Sequence, residues 1–469
     1  ATTCATDATA PAGAALTPLR AAASLARMTL PSKLCAAAAL VATLAAPATA
    51  AVPWTERVRE HTLGNGLRVL LLEDRRAPVA VFQVWYRVGA RNEELGRTGL
   101  AHVLEHMMFK GTEKLGPDAY SETIKRNGGD ENAFTTADST TYFAQLASDR
   151  LDVAIELEAD RMANLAFAEE QFLPELKVVM EERRMRTADQ PVGELFEQIR
   201  ATAYTAHPYG WPVIGWMNDL RQLTREDALA FYRTHYSPAN AVAVAVGDFD
   251  ADAVLKQIEA AFGAIPAGSP PPIVRAIEPV QRGERRTVLR RPAELPFVGV
   301  AFHVPNVDSD DAFALDVLAD LLAGGRSSRL HRDLVYERRL ARSAGASYDM
   351  TSVDPGLFLL HAQAMPGVAI AELEQRLLDH IERLKHEPPT QAELEKVKNG
   401  SAAALVFAQD SQFYQGMLLG EFEVAGGWRR LDALLPGIQA VTGEDIQRVA
   451  RRYFDADNRT VGILEPSPS

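Results

Sequence analysis

The segment Pro266-Ala267-Gly268-Ser269-Pro270-Pro271-Pro272 breaks the 469-residue chain just past its middle. Four prolines in seven residues remove backbone donors and lock φ, so neither a helix nor a central strand can run through it. Polar and charged residues continue to about Glu294, so 265–294 is expected to be a linker. Each flanking part closes on a similar piece, "PANAVAVAVGDF" before the break and "DNRTVGILEP" at the end. A duplicated α+β unit of roughly 200 residues per copy is therefore expected, as 51–264 and 295–469.

Within the first half, 67–72 and 79–88 are rich in β-branched and aromatic residues and read as strands, with Asn65-Gly66 as turn punctuation. Helical patterns follow at 98–110, 117–127, 149–164, 174–187 and 225–234, then a strand at 239–247 and a helix at 251–262. After the linker, 297–304 reads as a strand, 311–323 as a helix, and 460–464 as a closing strand. The 47% hydrophobic content suits a packed globule, and a net charge of −13 without a basic stripe argues against a nucleic-acid partner.

The first fifty residues read as a leader. Met28 opens a segment with Lys33 and an apolar run over 34–46, and Ala48-Thr49-Ala50 offers small residues for cleavage before Ala51. The run is too short to span a bilayer, so no stable membrane span is expected, and the protein is expected in the periplasm or outside the cell. Cys4 and Cys35 both lie in this leader, so a metal in the mature chain must be held by His and carboxylate.

His102-Val103-Leu104-Glu105-His106 carries the chemistry. On a helix, Leu100, Val103, Leu104, Met107 and Met108 form one apolar stripe, while His102, Glu105 and His106 point to the opposite side. Thr98 can cap the start of that helix and Gly111 can end it. Two imidazoles one turn apart can share a tetrahedral metal, and the carboxylate between them can act as base toward water. A third ligand is needed. Glu175 and Glu182 are seven apart on a helix expected to begin near Pro174, so they share a face; one could bind the metal while the other orients a histidine. A solvated polar helix face is the alternative for each of these stretches.

"LGNGLRVLLLED", "VWYRVGARNEELGRTGLAHVLEHMMFKGTEK", "GGDENAFTTADSTTYF", "ELKVVMEERRMR", "HPYGWPVIG" and "FYRTHYSPANAVAVAVGDF" resemble the pitrilysin/insulinase family of zinc peptidases, whose inverted motif is H-x-x-E-H. The resemblance covers essentially the whole mature chain and is closest to the short bacterial processing-peptidase-like subgroup. It implies two homologous α+β halves enclosing a cleft, and one zinc per chain, held by His102, His106 and Glu182, with Glu105 as general base and Glu175 supporting the site. Glu182 is preferred to Glu181 because it alone keeps the seven-residue step from Glu175. Asn132, Ala133 and Phe134 match a strand along which a peptide substrate would add as a further strand.

The second half departs from the family pattern. Leu318-Ala319-Asp320-Leu321-Leu322 stands where the histidines would be. The family's Arg and Tyr, seven apart, which stabilise an oxyanion, are not in place: Ala341 lies seven before Tyr348. Arg329 and Tyr336 have the step but sit too early, whereas Tyr336 and Arg342 stand at the expected places with the types exchanged. Either one of these pairs serves, or a second homologous subunit supplies the pair, as a heterodimer or homodimer. A zinc metallopeptidase acting on short or unfolded peptides is the resulting expectation. The alternatives are a non-catalytic core or assembly subunit and a zinc-retaining peptide-binding chaperone. The remaining histidines, His207 and His235 among them, are expected to be structural.

Overall fold

The computed structural model describes residues 52–468; the expected leader and both cysteines lie outside the described residues. One sheet contains β1 (Val58–Thr62), β2 (Arg68–Glu73), β3 (Val79–Tyr86), β4 (Asp130–Thr135), β5 (Thr140–Ala147) and β6 (Ala241–Gly247), in the order β1-β2-β6-β3-β5-β4. The other contains β7 (Arg285–Pro292), β8 (Phe297–Val304), β9 (Ala341–Ser347), β10 (Gly356–Ala364) and β11 (Arg459–Ser467), in the order β7-β11-β8-β10-β9. Setting β1 aside, the two orders are the same. β2–β6 and β7–β11 are the parallel pairs, and the other matched pairs are antiparallel.

The helices repeat in the same series. Leu100–Met107 follows β3, as Asp311–Ala323 follows β8. After β5 come Leu151–Asn164, Glu169–Arg183 and Pro191–Ala203; after β10 come Ile370–His386, Gln391–Gln409 and Gln412–Val424. The fold is α+β, made of two halves with one topology. The strands at 241–247, 297–304 and 459–467 and the helices at 251–262 and 311–323 lie where hydrophobic patterning places them.

The expected linker is shorter than its composition suggests. Residues 263–284 contain neither helix nor strand, but 285–292 form β7, paired in parallel with β11. Its sequence, RRTVLRRP, alternates half-buried and exposed positions at the edge of the sheet. Edge strands tolerate and often carry charge, which blocks pairing with other chains, so charge alone misplaced this element.

Each half lends a helix to the other. In β6 every residue is buried. Val242, Val244 and Val246 face a core shared with the second half, while Ala243 and Ala245 face the core of the first. Gln412–Val424 lies against the valine face, where Glu423 accepts from Arg68 and Arg87 at 2.6 and 2.5 Å and Gln415 donates to Asp74 at 2.7 Å. Reciprocally, Pro191–Ala203 lies on the second sheet. There Gly299 and Gly462 face each other across β8 and β11, and a Cβ on them would come within 2.5 and 2.3 Å of the Ile199 side chain.

Gly420 performs the matching service on the other side, since a Cβ there would lie 2.0 Å from the Trp85 ring. That ring is buried and its Nε1 donates to Gln83 at 2.9 Å, so it has little room to yield. Gly420→Val is expected to destabilise the chain by about 3 kcal/mol through overpacking. Gly400→Ala, on a helix where an added Cβ meets nothing within 4 Å, is expected to stabilise by up to about 1 kcal/mol. Denaturant unfolding of the two variants checks the contrast.

Candidate metal centre

Leu100–Met107 buries Leu100, Val103, Leu104 and Met107 and carries His102, Glu105 and His106. Its N-cap is Gly99, at a φ of 95° that favours glycine. Thr98, expected to cap, is engaged elsewhere: its hydroxyl donates to Asp219 at 2.7 Å and accepts the Trp216 N–H at 2.8 Å. The helix end is satisfied by Glu93, whose buried carboxylate accepts the N–H groups of Gly99 and Ala101 at 2.8 and 2.7 Å. Nothing in local spacing marks Glu93, because it reaches forward over the intervening loop to Gly99 and Ala101. The helix ends at Met107, and Gly111, at a φ of 102°, turns the chain only after that end.

Glu175 and Glu182 lie on Glu169–Arg183, which begins five residues before Pro174 rather than near it. Pro174 therefore stands inside the helix, where its missing N–H releases the carbonyl of Glu170, an exposed residue near the helix start. Packing of this helix against Leu100–Met107 brings His102, His106 and Glu182 together, one ligand atom from each lying within 4.8 Å of the others. His102 Nε2 is 3.7 Å from Glu182 Oε1, and His106 Nε2 is 3.3 Å from Glu182 Oε2. Glu181 points away and pairs with Arg184 on the exposed surface. Arg186, one turn on from Glu182, holds its Oε1 at 2.6 Å.

Glu175 sits behind the site. Its Oε1 lies 2.8 Å from His106 Nδ1, and Lys110 holds Oε2 at 2.9 Å. This contact fixes the ring so that Nε2 is the nitrogen offered to a metal. Burial lowers the His106 pKa, but hydrogen bonds to Glu175 and Glu182 outweigh it and lift the value to about 9. Burial lowers His102 to about 4, helped by its neighbour His106. Burial raises Glu175 and Glu182, yet their hydrogen bonds and nearby positive groups bring both below the ordinary carboxylate value. The site therefore favours positive charge between His106 and the two glutamates, with a neutral imidazole at His102. Two imidazole nitrogens and one carboxylate oxygen converging in this way suit zinc with a position left for water or substrate.

Glu105 is on the same helix but outside the converging donor set. Burial raises its pKa, and the Thr135 hydroxyl at the end of β4 donates to its Oε2. β4 is an edge strand, paired only to β5. Ala133 packs toward the first-half core, Phe134 packs edge-on against Trp85 at 5.6 Å, and Asn132 is exposed. Thus the expected substrate strand runs past the expected base. Thr135, the residue joining them, carries no motif of its own.

The Arg and Tyr candidates are not gathered here. Tyr336 is exposed on an irregular helical turn, and Arg342 on the edge strand β9 lies 3.5 Å from Glu294. Arg329 makes two 2.9 Å bonds to Glu393, and buried Tyr348 donates to the Pro305 carbonyl. None of these groups bonds to His102, Glu105, His106 or Glu182 among the described residues. His207 belongs to a network joining the halves, contacting Asp354 at 3.1 Å, and His235 is buried beside Phe231.

Glu175→Gln keeps the ligands and loses the charge behind His106. It is expected to weaken zinc binding by about 10–100-fold, measured by competition with a chromogenic chelator.

An α+β protein of two like halves, with an inverted H-x-x-E-H helix and a distal glutamate in only the first, has the architecture of a zinc protease. The chain belongs to the insulinase family, peptidase family M16, whose model matches residues 68–215. A second model, described as the peptidase M16 inactive domain, matches 222–401. His102, Glu105, His106, Glu175 and Glu182 all lie within the first match. Among relatives, zinc protease PqqE of Helicobacter pylori is 36% identical over 412 residues, 86% of this chain and 92% of that one. An uncharacterized zinc protease of Mycobacterium bovis is 30% identical over 87% of this chain and 92% of its own length. The crystal structure of a protease from H. pylori shares 34% identity and a TM-score of 0.85, covering 87% of this chain and all of that one. The periplasmic protease PqqL of Escherichia coli, 19% identical, shares the fold at a TM-score of 0.74 over 89% of this chain and 48% of its own.

Proposed function

We propose that this protein is a zinc-dependent endopeptidase of short or unfolded peptides. The convergence of His102, His106 and Glu182 beside half-buried Glu105, itself touching the edge strand β4, carries this reading. One zinc per chain would be held by those three residues and would polarise water and the scissile carbonyl. A peptide laid along β4 gains backbone hydrogen bonds from the free edge of the sheet. Glu105, with its pKa raised by burial, takes a proton from water and returns it to the leaving amine. Glu175 holds the His106 ring in the required tautomer.

The protein acts as the zinc-bearing subunit of a dimer, with a second homologous subunit supplying the Arg/Tyr pair. The engagement of Arg329 and Tyr348 elsewhere supports this division of work. So does the E. coli periplasmic protease, less than half of whose length matches this chain. Export to the periplasm is part of the same reading, on the leader at 28–50 and that periplasmic neighbour. The rival is a zinc-retaining chaperone or core subunit without turnover, favoured because no Arg or Tyr candidate among the described residues bonds to the site.

The experiment is zinc content together with cleavage of a quenched unstructured peptide by the purified chain, alone and after chelation. About one zinc per chain with chelator-sensitive cleavage supports a self-sufficient peptidase. Zinc without cleavage, restored by a homologous partner, supports the dimer. Zinc without cleavage under either condition sinks the peptidase reading.

A further inference from the structure

A cavity of about 830 Å³ lies in the second half, between Asp311–Ala323, Gln391–Gln409, Leu431–Ala440 and the turn after β9. By the repeated order of elements, Asp311–Ala323 and Gln391–Gln409 stand where the His102 and Glu182 helices stand in the first half. The cavity is thus the counterpart of the metal site, without its ligands. Its size falls in the range of small-molecule pockets. Leu321, Val397, Leu405, Leu434 and Ile438 supply an apolar wall.

Its charges are unevenly satisfied. Of the three lining cations, Arg329 is taken by Glu393, Arg332 lies 3.7 Å from Glu337, and Lys396 donates to Ser327. Asp349 and Glu421, also in the lining, approach one hydroxyl. Thr351 Oγ1 is 2.7 Å from Asp349 Oδ1 and 3.0 Å from Glu421 Oε1, and a hydroxyl has one proton to donate. Glu421 Oε2 is out of contact with solvent and has no hydrogen-bond partner among the described residues. Burial, with Asp349 alongside, lifts the Glu421 pKa to about 8, so the carboxyl keeps its proton near neutral pH unless a positive charge is brought to it. Asp316 and Asp320, each engaged in interactions of its own, also belong to the lining.

We propose that this cavity is a binding site for a small organic cation, an ammonium or guanidinium group carried on an apolar body. The apolar wall takes the body, and the Asp349–Glu421 pair takes the positive group. The proposal is independent of the peptidase reading, since it uses no residue of the metal centre. The same chemistry can come from a free amine or from a basic side chain of a peptide.

The test is calorimetric titration of the purified chain with hexylammonium, with neutral hexanol as control, and with a capped peptide containing lysine or norleucine. Expected are binding of hexylammonium at least about ten-fold tighter than hexanol, and a similar loss in Glu421→Gln with hexanol unaffected. Ala404→Phe, which fills the cavity instead of changing its charge, is expected to remove both and keeps the test valid if Glu421→Gln folds poorly. Saturation by hexylammonium alone identifies a free amine as the source, and saturation by the lysine peptide alone identifies a side chain. Binding of neither, equal binding of hexanol, or affinities unchanged in both variants overturns the proposal.

Discussion

Glu105→Gln is expected to keep its zinc and to lose about 10²–10⁴-fold in peptide cleavage, the usual worth of a positioned general base. The separation of the two effects follows from the geometry. The three converging ligand atoms belong to His102, His106 and Glu182, so the substitution leaves the donor set whole. Glutamine is nearly isosteric and can still accept from the Thr135 hydroxyl, which keeps β4 seated against the helix. What it cannot do is take a proton. Burial makes the wild-type carboxylate a stronger base than an exposed one, so the loss concerns basicity more than position. Metal analysis beside kcat on a quenched peptide reads both quantities. Unchanged hydrolysis with intact zinc removes Glu105 from the role of base.

Glu182→Gln is expected to act in the opposite order, with zinc affinity lost first and activity lost because of it. Its carboxylate faces both His Nε2 atoms, at 3.7 and 3.3 Å, and is the only anionic member of the converging set. Replacement by a neutral amide removes the charge that a divalent cation needs there. The loss should exceed the roughly 100-fold upper figure for residues that only support a ligand, and so should exceed that of Glu175→Gln. Competition with a chelator across the three variants is expected to rank them Glu182→Gln weakest, Glu175→Gln intermediate and Glu105→Gln near wild type. Zinc binding that survives in Glu182→Gln shifts the third ligand elsewhere.

The strands legible in the sequence are the ones buried on both faces, such as β6 and β8, whose residues are almost all apolar. Those that were hard to read carry polar residues for tertiary reasons. β4 (DENAFT) keeps one edge free, and β7 (RRTVLRRP) is charged because it closes the other sheet. The Glu-rich helix shows a different failure. Pro174 looks like a first-turn residue by local rule, but the helix extends past it to Glu169, with Phe172 buried ahead of the proline.

For the site, the sequence alone determined what one helix determines: His102, Glu105 and His106 share a face because a turn of 3.6 residues puts them there. Family resemblance added Glu182 and Glu175, which no local period links to the histidines. Only the tertiary structure decided that Glu182 faces both rings, that Glu175 reaches His106 Nδ1, and that Thr135 joins the base to the edge strand. It also decided that the halves exchange helices, and that the second half keeps a cavity where the first keeps a metal centre. The reason is physical. Helical spacing is set by hydrogen bonds four residues long, whereas contacts between distant segments depend on how side-chain volumes, such as Ile199 against Gly299 and Gly462, allow two elements to meet.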